Sequence, residues 1–222
     1  MSTQQLSPTW PTILFDVDGT LVKSGELITS AFQEALVEIG FDPLPSETVT
    51  KVIGPPLSYS FEHFAGVHEQ DLDKAIHVYR RIYVPHFLDA PLYPGVRELL
   101  SDLSAAGFHL GTATSKMETM ARKQLEHLEV DRHFHVIAGA PPDPNSTKSH
   151  VVADALDRLG AQGAPLHAPV LIGDRSHDVQ GAEDNQIRVI GAGWGYGSPE
   201  EFDSPAVVTV ASSVDQLRTL LL

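Results

Sequence analysis

The chain has 222 residues, no Cys, and 15 Lys and Arg against 29 Asp and Glu, a formal charge of −14 at pH 7. Its longest basic run is the pair Arg80-Arg81, whereas binding a nucleic acid polymer or an anionic membrane needs clustered cations, so neither is an expected partner. Without Cys there are no disulfides, thiolate zinc sites, iron-sulfur clusters or Cys nucleophiles, and any chemistry must run on oxygen, nitrogen or a bound metal.

The opening MSTQQLSPTW has neither a basic nor an apolar leader region, and no apolar run approaches the roughly 18 residues of a membrane span. The expected location is therefore the cytoplasm. Ile13-Leu14-Phe15 is the first short apolar run that reads as a buried strand. From Val22 to Leu92 no strand pattern follows. Ile28, Ala31, Phe32, Ala35, Leu36 and Ile39 form a helical stripe, a second helical pattern runs from Leu72 to Phe87, and Gly54-Pro55-Pro56, Pro91 and Pro94-Gly95 punctuate the segment.

From about residue 93 strands and helices alternate. Val96, Leu99, Leu100 and Leu103, and later Val151, Val152, Ala155, Leu156 and Leu159, are the apolar stripes of amphipathic helices. Leu110–Ala113, His135–Ala138, Val170–Ile172, Val189-Ile190 and Val207–Val210 read as strands. This alternation predicts an α/β fold with a doubly wound, parallel-sheet, Rossmann-like core over 1–21 and 93–222, and a small helical cap over 22–92 inserted after the first strand. In such sheets ligands bind beyond the carboxyl ends of the strands.

Polar residues gather at those ends. Asp16 and Asp18 follow the first strand and Gly19 lets the chain turn away, whereas Asp71-Leu72-Asp73, inside a cap helix, reads as solvated surface. Asp174 and Asp178 follow Leu171-Ile172-Gly173, with Ser176 read as a helix cap. Four converging carboxylates repel, by roughly 4 kcal/mol for a pair about 4 Å apart at an effective dielectric near 20. A hard divalent cation relieves this, and oxygen donors without Cys or paired His favour Mg²⁺. Thr114-Ser115 follows a strand and is expected to open a helix facing an anion, and Lys148 offers a fixed positive charge. Each taken singly has a plain structural reading; their order along the chain makes the case.

The ordered set Asp16-x-Asp18-Gly19-Thr20, Thr114-Ser115-Lys116, Lys148 and Gly173-Asp174-x-x-x-Asp178 resembles the four motifs of the haloacid dehalogenase superfamily, across nearly the whole chain. Ile53-Gly54-Pro55-Pro56-Leu57, Gly173-Asp174-Arg175 with Gly181-Ala182, and Trp194–Ser198 resemble its phosphoglycolate phosphatase-like and 5′-nucleotidase-like branch. The resemblance implies a Mg²⁺-dependent phosphatase of a small phosphorylated metabolite, a nucleoside 5′-monophosphate or a phosphoglycolate-like compound. Asp16 is implied as nucleophile and Asp18 as acid and base. Asp16, Asp18 (by its carbonyl), Asp174 and Asp178 are implied for the metal, and Thr114, Ser115 and Lys148 for the phosphoryl oxygens. The chain departs from the branch at Lys23, Ser58 and Ser149. A phosphomutase of the same superfamily, or a catalytically silent phosphate-binding or protein-interaction module, is the alternative, and the oligomeric state is open.

Other features are set aside. Gly191–Gly197 fails the dinucleotide frame at Tyr196 and reads as a flexible loop beside the site, Thr147-Lys148-Ser149 lacks the glycines of a phosphate loop, His177 reads as a solvated loop residue, and Arg80-Arg81 as the polar face of a cap helix.

Overall fold

The computed structural model describes residues 10–143 and 146–222, so the opening segment, but for Trp10, lies outside the described residues. Six parallel strands form one sheet: β1 (Thr12–Phe15), β2 (His109–Met117), β3 (Val136–Ala140), β4 (Pro169–Gly173), β5 (Arg188–Ala192) and β6 (Val207–Ala211), in the order β3-β2-β1-β4-β5-β6. β1 is central, with Phe15 opposite Thr112 on one side and Ile172 on the other. Because side chains alternate along a strand, Ile13 and Phe15 pack with Leu99, Leu100 and Leu103 on one face. Leu14 packs with Val151, Val152 and Leu159 on the opposite face. A strand buried on both faces cannot alternate in polarity, which is why β1 reads as one apolar run.

Between β1 and β2 lie α1 (Gly25–Ile39), α2 (Ser46–Val49), α3 (Leu57–Ala65), α4 (Glu69–Tyr83) and α5 (Val96–Ala105). Of these, α1, α3 and α4 build a core of their own, centred on Phe32, Phe61, Val78 and Tyr79. The second helical pattern ends at Tyr83 rather than Phe87, and the chain passes into a short 3-10 turn over Phe87–Asp89. Pro85 is the reason, since it has no N–H to continue the ladder. The two ends of this insertion are stitched together beside the sheet: Lys23 N–H donates to the Pro91 carbonyl at 2.8 Å and Tyr93 N–H to the Leu21 carbonyl at 3.0 Å.

The remaining helices are α6 (Glu118–His127), α7 (Lys148–Ala161), α8 (Ser176–Asp184) and α9 (Val214–Leu221). Two expectations need correction. β2 runs on to Met117 and α6 begins only at Glu118, so Thr114 and Ser115 lie within a strand and not at a helix N-terminus. Arg175, not Ser176, occupies the cap position of α8. Asp178 takes that role for the backbone, because its carboxylate accepts from the Arg175 N–H at 3.0 Å.

Phe32 and Phe61, both fully buried, stack at 4.2 Å between ring centroids and anchor the core of the insertion. Phe32→Ala should cost about 3–5 kcal/mol of stability, read as a lower urea midpoint of unfolding.

Candidate active site

Three strand ends build the site. Asp16 directly follows β1 and its N–H donates to the Ile172 carbonyl on β4 at 2.9 Å, which draws it beside Asp174. Asp178 enters from the first turn of α8, and Lys148 is the first residue of α7. Asp16, Asp174 and Asp178 are all buried and present carboxylate oxygens within 4.8 Å of one another. The Lys148 ammonium bridges two of them, 2.7 Å from Asp16 Oδ1 and 2.6 Å from Asp178 Oδ1.

Three carboxylates against one ammonium leave excess negative charge in a desolvated place. Burial pushes the Asp16 carboxyl from 3.8 up to about 6, with Lys148 pulling it down and Asp178 adding to the rise. Asp174 is raised well above 3.8 by burial first, then by the charges of Asp178 and Asp16. Lys148 resists deprotonation: burial works against its charge, but the attraction of Asp16 and Asp178 outweighs it and lifts its pKa. Buried oxygen donors that repel one another are what a hard divalent cation fits. The trio is therefore a candidate metal centre.

Asp174 is held closely. Gly19, at φ +91°, presses so near that a Cβ there would lie 2.2 Å from Asp174 Oδ2, and one on Gly195 would lie 2.3 Å from the Asp174 Cβ. The Tyr196 N–H donates to Asp174 Oδ2 at 2.8 Å and the Thr20 hydroxyl to Oδ1 at 3.3 Å. The Tyr196 hydroxyl accepts from the Gly25 N–H at 2.7 Å, and Trp194 Nε1–H donates to the Thr20 carbonyl at 3.0 Å. The segment expected to be a flexible loop is thus tied to Asp174 and to the start of the helical insertion.

Asp18 takes a separate place. Its carboxylate stands outside the trio and accepts at Oδ1 from the Lys116 ammonium at 2.8 Å. A cavity of about 420 Å³ opens over Asp16 and Asp18, lined also by Thr114, Ser115 and Lys116 from β2 and by residues of the insertion. Thr114 and Ser115 therefore reach the expected place from a strand end.

α4 turns Ile76, Tyr79 and Tyr83 toward this cavity, and Asp73 and Arg80, both exposed as expected, line it as well. Their spacing along one helix face was the available signal. Arg81 does face outward, ion-paired with Glu38. His177 is the second residue of α8 rather than a loop residue, half-buried with its ring edge-on to Tyr59. The sequence reading also gave Arg175 no role. Its buried guanidinium donates to the Ile53 carbonyl and, at 3.3 Å, to that of Thr50 in the insertion, while Nε donates to Glu201 at 3.0 Å.

The chain matches the haloacid dehalogenase-like hydrolase family over residues 13–192 and belongs to it. It is an enzyme of the phosphatase type within that family, a class to which several of its relatives belong. Among relatives, Tyrosine-protein kinase PtkA of Mycobacterium tuberculosis is 40% identical over 213 residues, covering 94% of this chain and 72% of that one. A 5′-nucleotidase of Pseudomonas aeruginosa is 35% identical over 214 residues, covering 96% of both. Among solved structures, a predicted phosphatase from Clostridium acetobutylicum superposes with a TM-score of 0.86 at 33% identity, over 95% of this chain and 97% of that one. No helix among the described residues is long and apolar enough to cross a membrane.

The raised carboxyls set a pH dependence. A folded-state pKa near 6 in place of 3.8 means that Asp16 contributes stability below about 3.8 that is lost as pH rises through about 6. Asp174 acts in the same direction. In chelator, Asp174→Asn should therefore melt above the wild type at pH 7, with the gap closing toward pH 5. Its amide still accepts from the Tyr196 N–H and can donate to the Thr20 hydroxyl. Added Mg²⁺ should raise the wild-type melting temperature at pH 7 and leave that of the variant unmoved, as scanning calorimetry would show.

Proposed function

We propose that this protein hydrolyses small-molecule phosphate monoesters with Mg²⁺, through a phosphoaspartate at Asp16. The observation that carries the reading is the placement of Asp16: buried at the end of the central strand, on Lys148, beside Asp174 and Asp178, and open to the cavity that Asp18 also lines.

Asp16 attacks phosphorus with one carboxylate oxygen, and the bond to the leaving-group oxygen breaks. Asp18 gives its proton to that oxygen as the alcohol departs. Asp18, now a carboxylate, then takes a proton from a water whose oxygen attacks phosphorus. The Asp16–phosphorus bond breaks, inorganic phosphate leaves and Asp16 is restored. Lys148 holds Asp16 ionised and oriented, and Thr114 and Ser115 offer hydroxyls to the phosphoryl oxygens. Asp16, Asp174, Asp178 and the Asp18 carbonyl are the groups that would hold Mg²⁺, which when bound offsets charge on the transferred phosphoryl group.

Residues 22–92 act as the cap over the core of 1–21 and 93–222, excluding water and reading the leaving group. The proposed substrate is a nucleoside 5′-monophosphate or a phosphoglycolate-like metabolite. The resemblance of the Pro55-Pro56-Leu57 cap segment and the 5′-nucleotidase relative support that class.

Purified protein should release phosphate from a panel of nucleoside monophosphates, phosphoglycolate and sugar phosphates with Mg²⁺, and stop with chelator. Asp16→Asn should fall to background, and Asp18→Asn should lose about 10²–10⁴-fold in kcat on alkyl esters. Absence of wild-type turnover on every ester, or full turnover by Asp16→Asn, would overturn the mechanism.

A further inference from the structure

One buried chain of polar contacts is unused by this mechanism. Gln124, on α6, has no exposed surface, and both ends of its amide are engaged. Nε2 donates to the Phe87 carbonyl at 2.8 Å, and Oε1 accepts from the Lys116 ammonium at 2.5 Å. Those partners fix its orientation, since a carbonyl can only accept and an ammonium only donate. Lys116 Nζ also donates to Asp18 Oδ1 at 2.8 Å and sits 5.7 Å from the centre of the Tyr83 ring, within cation–π range. The Lys116 side chain is 5% exposed. Both outer contacts, Phe87 and Tyr83, belong to the end of the helical insertion.

The ammonium is therefore directed on three sides, and one of them occupies Asp18 Oδ1. Among the described residues Asp18 Oδ2 has no hydrogen-bond partner, and Asp18 lines the cavity. We propose that Lys116 and Gln124 are positioning residues for Asp18. They engage one carboxylate oxygen, leave the other to exchange the proton with the leaving group, and make that aim depend on the seating of the Phe87–Asp89 turn. Neither residue touches the phosphoryl group in this scheme. The inference rests on the phosphomonoesterase reading and assigns the part of the machinery that protonates the leaving group.

A loss confined to proton donation has a signature that general damage lacks. An alkyl phosphate expels a basic alkoxide that needs the proton, whereas p-nitrophenyl phosphate expels a stabilised phenolate that scarcely does. Gln124→Met and Lys116→Met should lower the ratio of kcat on a nucleoside 5′-monophosphate to kcat on p-nitrophenyl phosphate by at least about tenfold, a fraction of what general acid catalysis is worth. Equal losses on both esters, or an unchanged ratio, would overturn the proposal. A wild type inactive on both would instead refute the phosphomonoesterase reading and, with it, the catalytic half of this one.

The structural half has its own readout. In Gln124→Met, amide hydrogen exchange over residues 86–90 should quicken at least tenfold relative to the wild type, because the Phe87 carbonyl loses its donor. Unchanged exchange there would overturn the link between the turn and Asp18. Should Gln124→Met fail to fold, Gln124→Glu keeps the acceptor for Lys116 but removes the donor to Phe87. It should show the faster exchange, and unchanged exchange in that variant would equally overturn the link.

Discussion

Everything near the cavity is arranged around like charges that the fold forces together. Asp16, Asp174 and Asp178 are buried within 4.8 Å of one another with one ammonium among them. Burying a charge is tolerable only when it is paired and hydrogen-bonded. The surroundings reflect that demand. Asp178 spends one oxygen on the α8 backbone, Asp174 takes the Tyr196 N–H and the Thr20 hydroxyl, and Lys148 spans Asp16 and Asp178. The neutralisation is only partial, and the negative charge left over is what suits the place to a divalent cation.

The same residues tie the helical insertion to the sheet. Tyr196 grips Asp174 through its N–H and meets Gly25 through its hydroxyl. Arg175, one residue beyond Asp174, reaches the Thr50 and Ile53 carbonyls, with Glu201 fixing its guanidinium from the core. Gln124 reaches the Phe87 carbonyl. The insertion is thus held at its start and middle by groups hydrogen-bonded with or adjacent to Asp174, and at its end by Gln124, which meets Asp18 only through Lys116.

Much of this was legible in the chain. The strands were visible because buried parallel strands are continuous apolar runs and the half-exposed edge strand β6 is rich in β-branched Val and Thr, and the helices because their stripes repeat at 3.6 residues. Asp16, Asp18, Asp174, Asp178 and Lys148 were visible because each stands at the end of such an element. Thr114 and Ser115 were found for a wrong reason: nothing in Thr114-Ser115-Lys116-Met117 marks where pairing with β3 stops, and the strand outlasts its apolar part because Met117 still pairs with Ala140. That the exposed Arg80 and Asp73 also line the cavity was hidden for another reason. A polar residue on a helix face looks the same in the sequence whether or not a cavity lies beside it, and only the placement of α4 reveals it.

The sequence by itself determined the sheet class, the position of the insertion and the acids at the strand ends, since all three follow from local periodicity and from the family motifs. Tertiary structure alone decided which oxygen each acid offers and to whom. Gln124 lies 37 residues from the carbonyl it binds, Lys116 lies 98 from Asp18, and Arg175 lies 122 from Ile53. Such pairings are set by how layers pack, and no spacing within the chain encodes them.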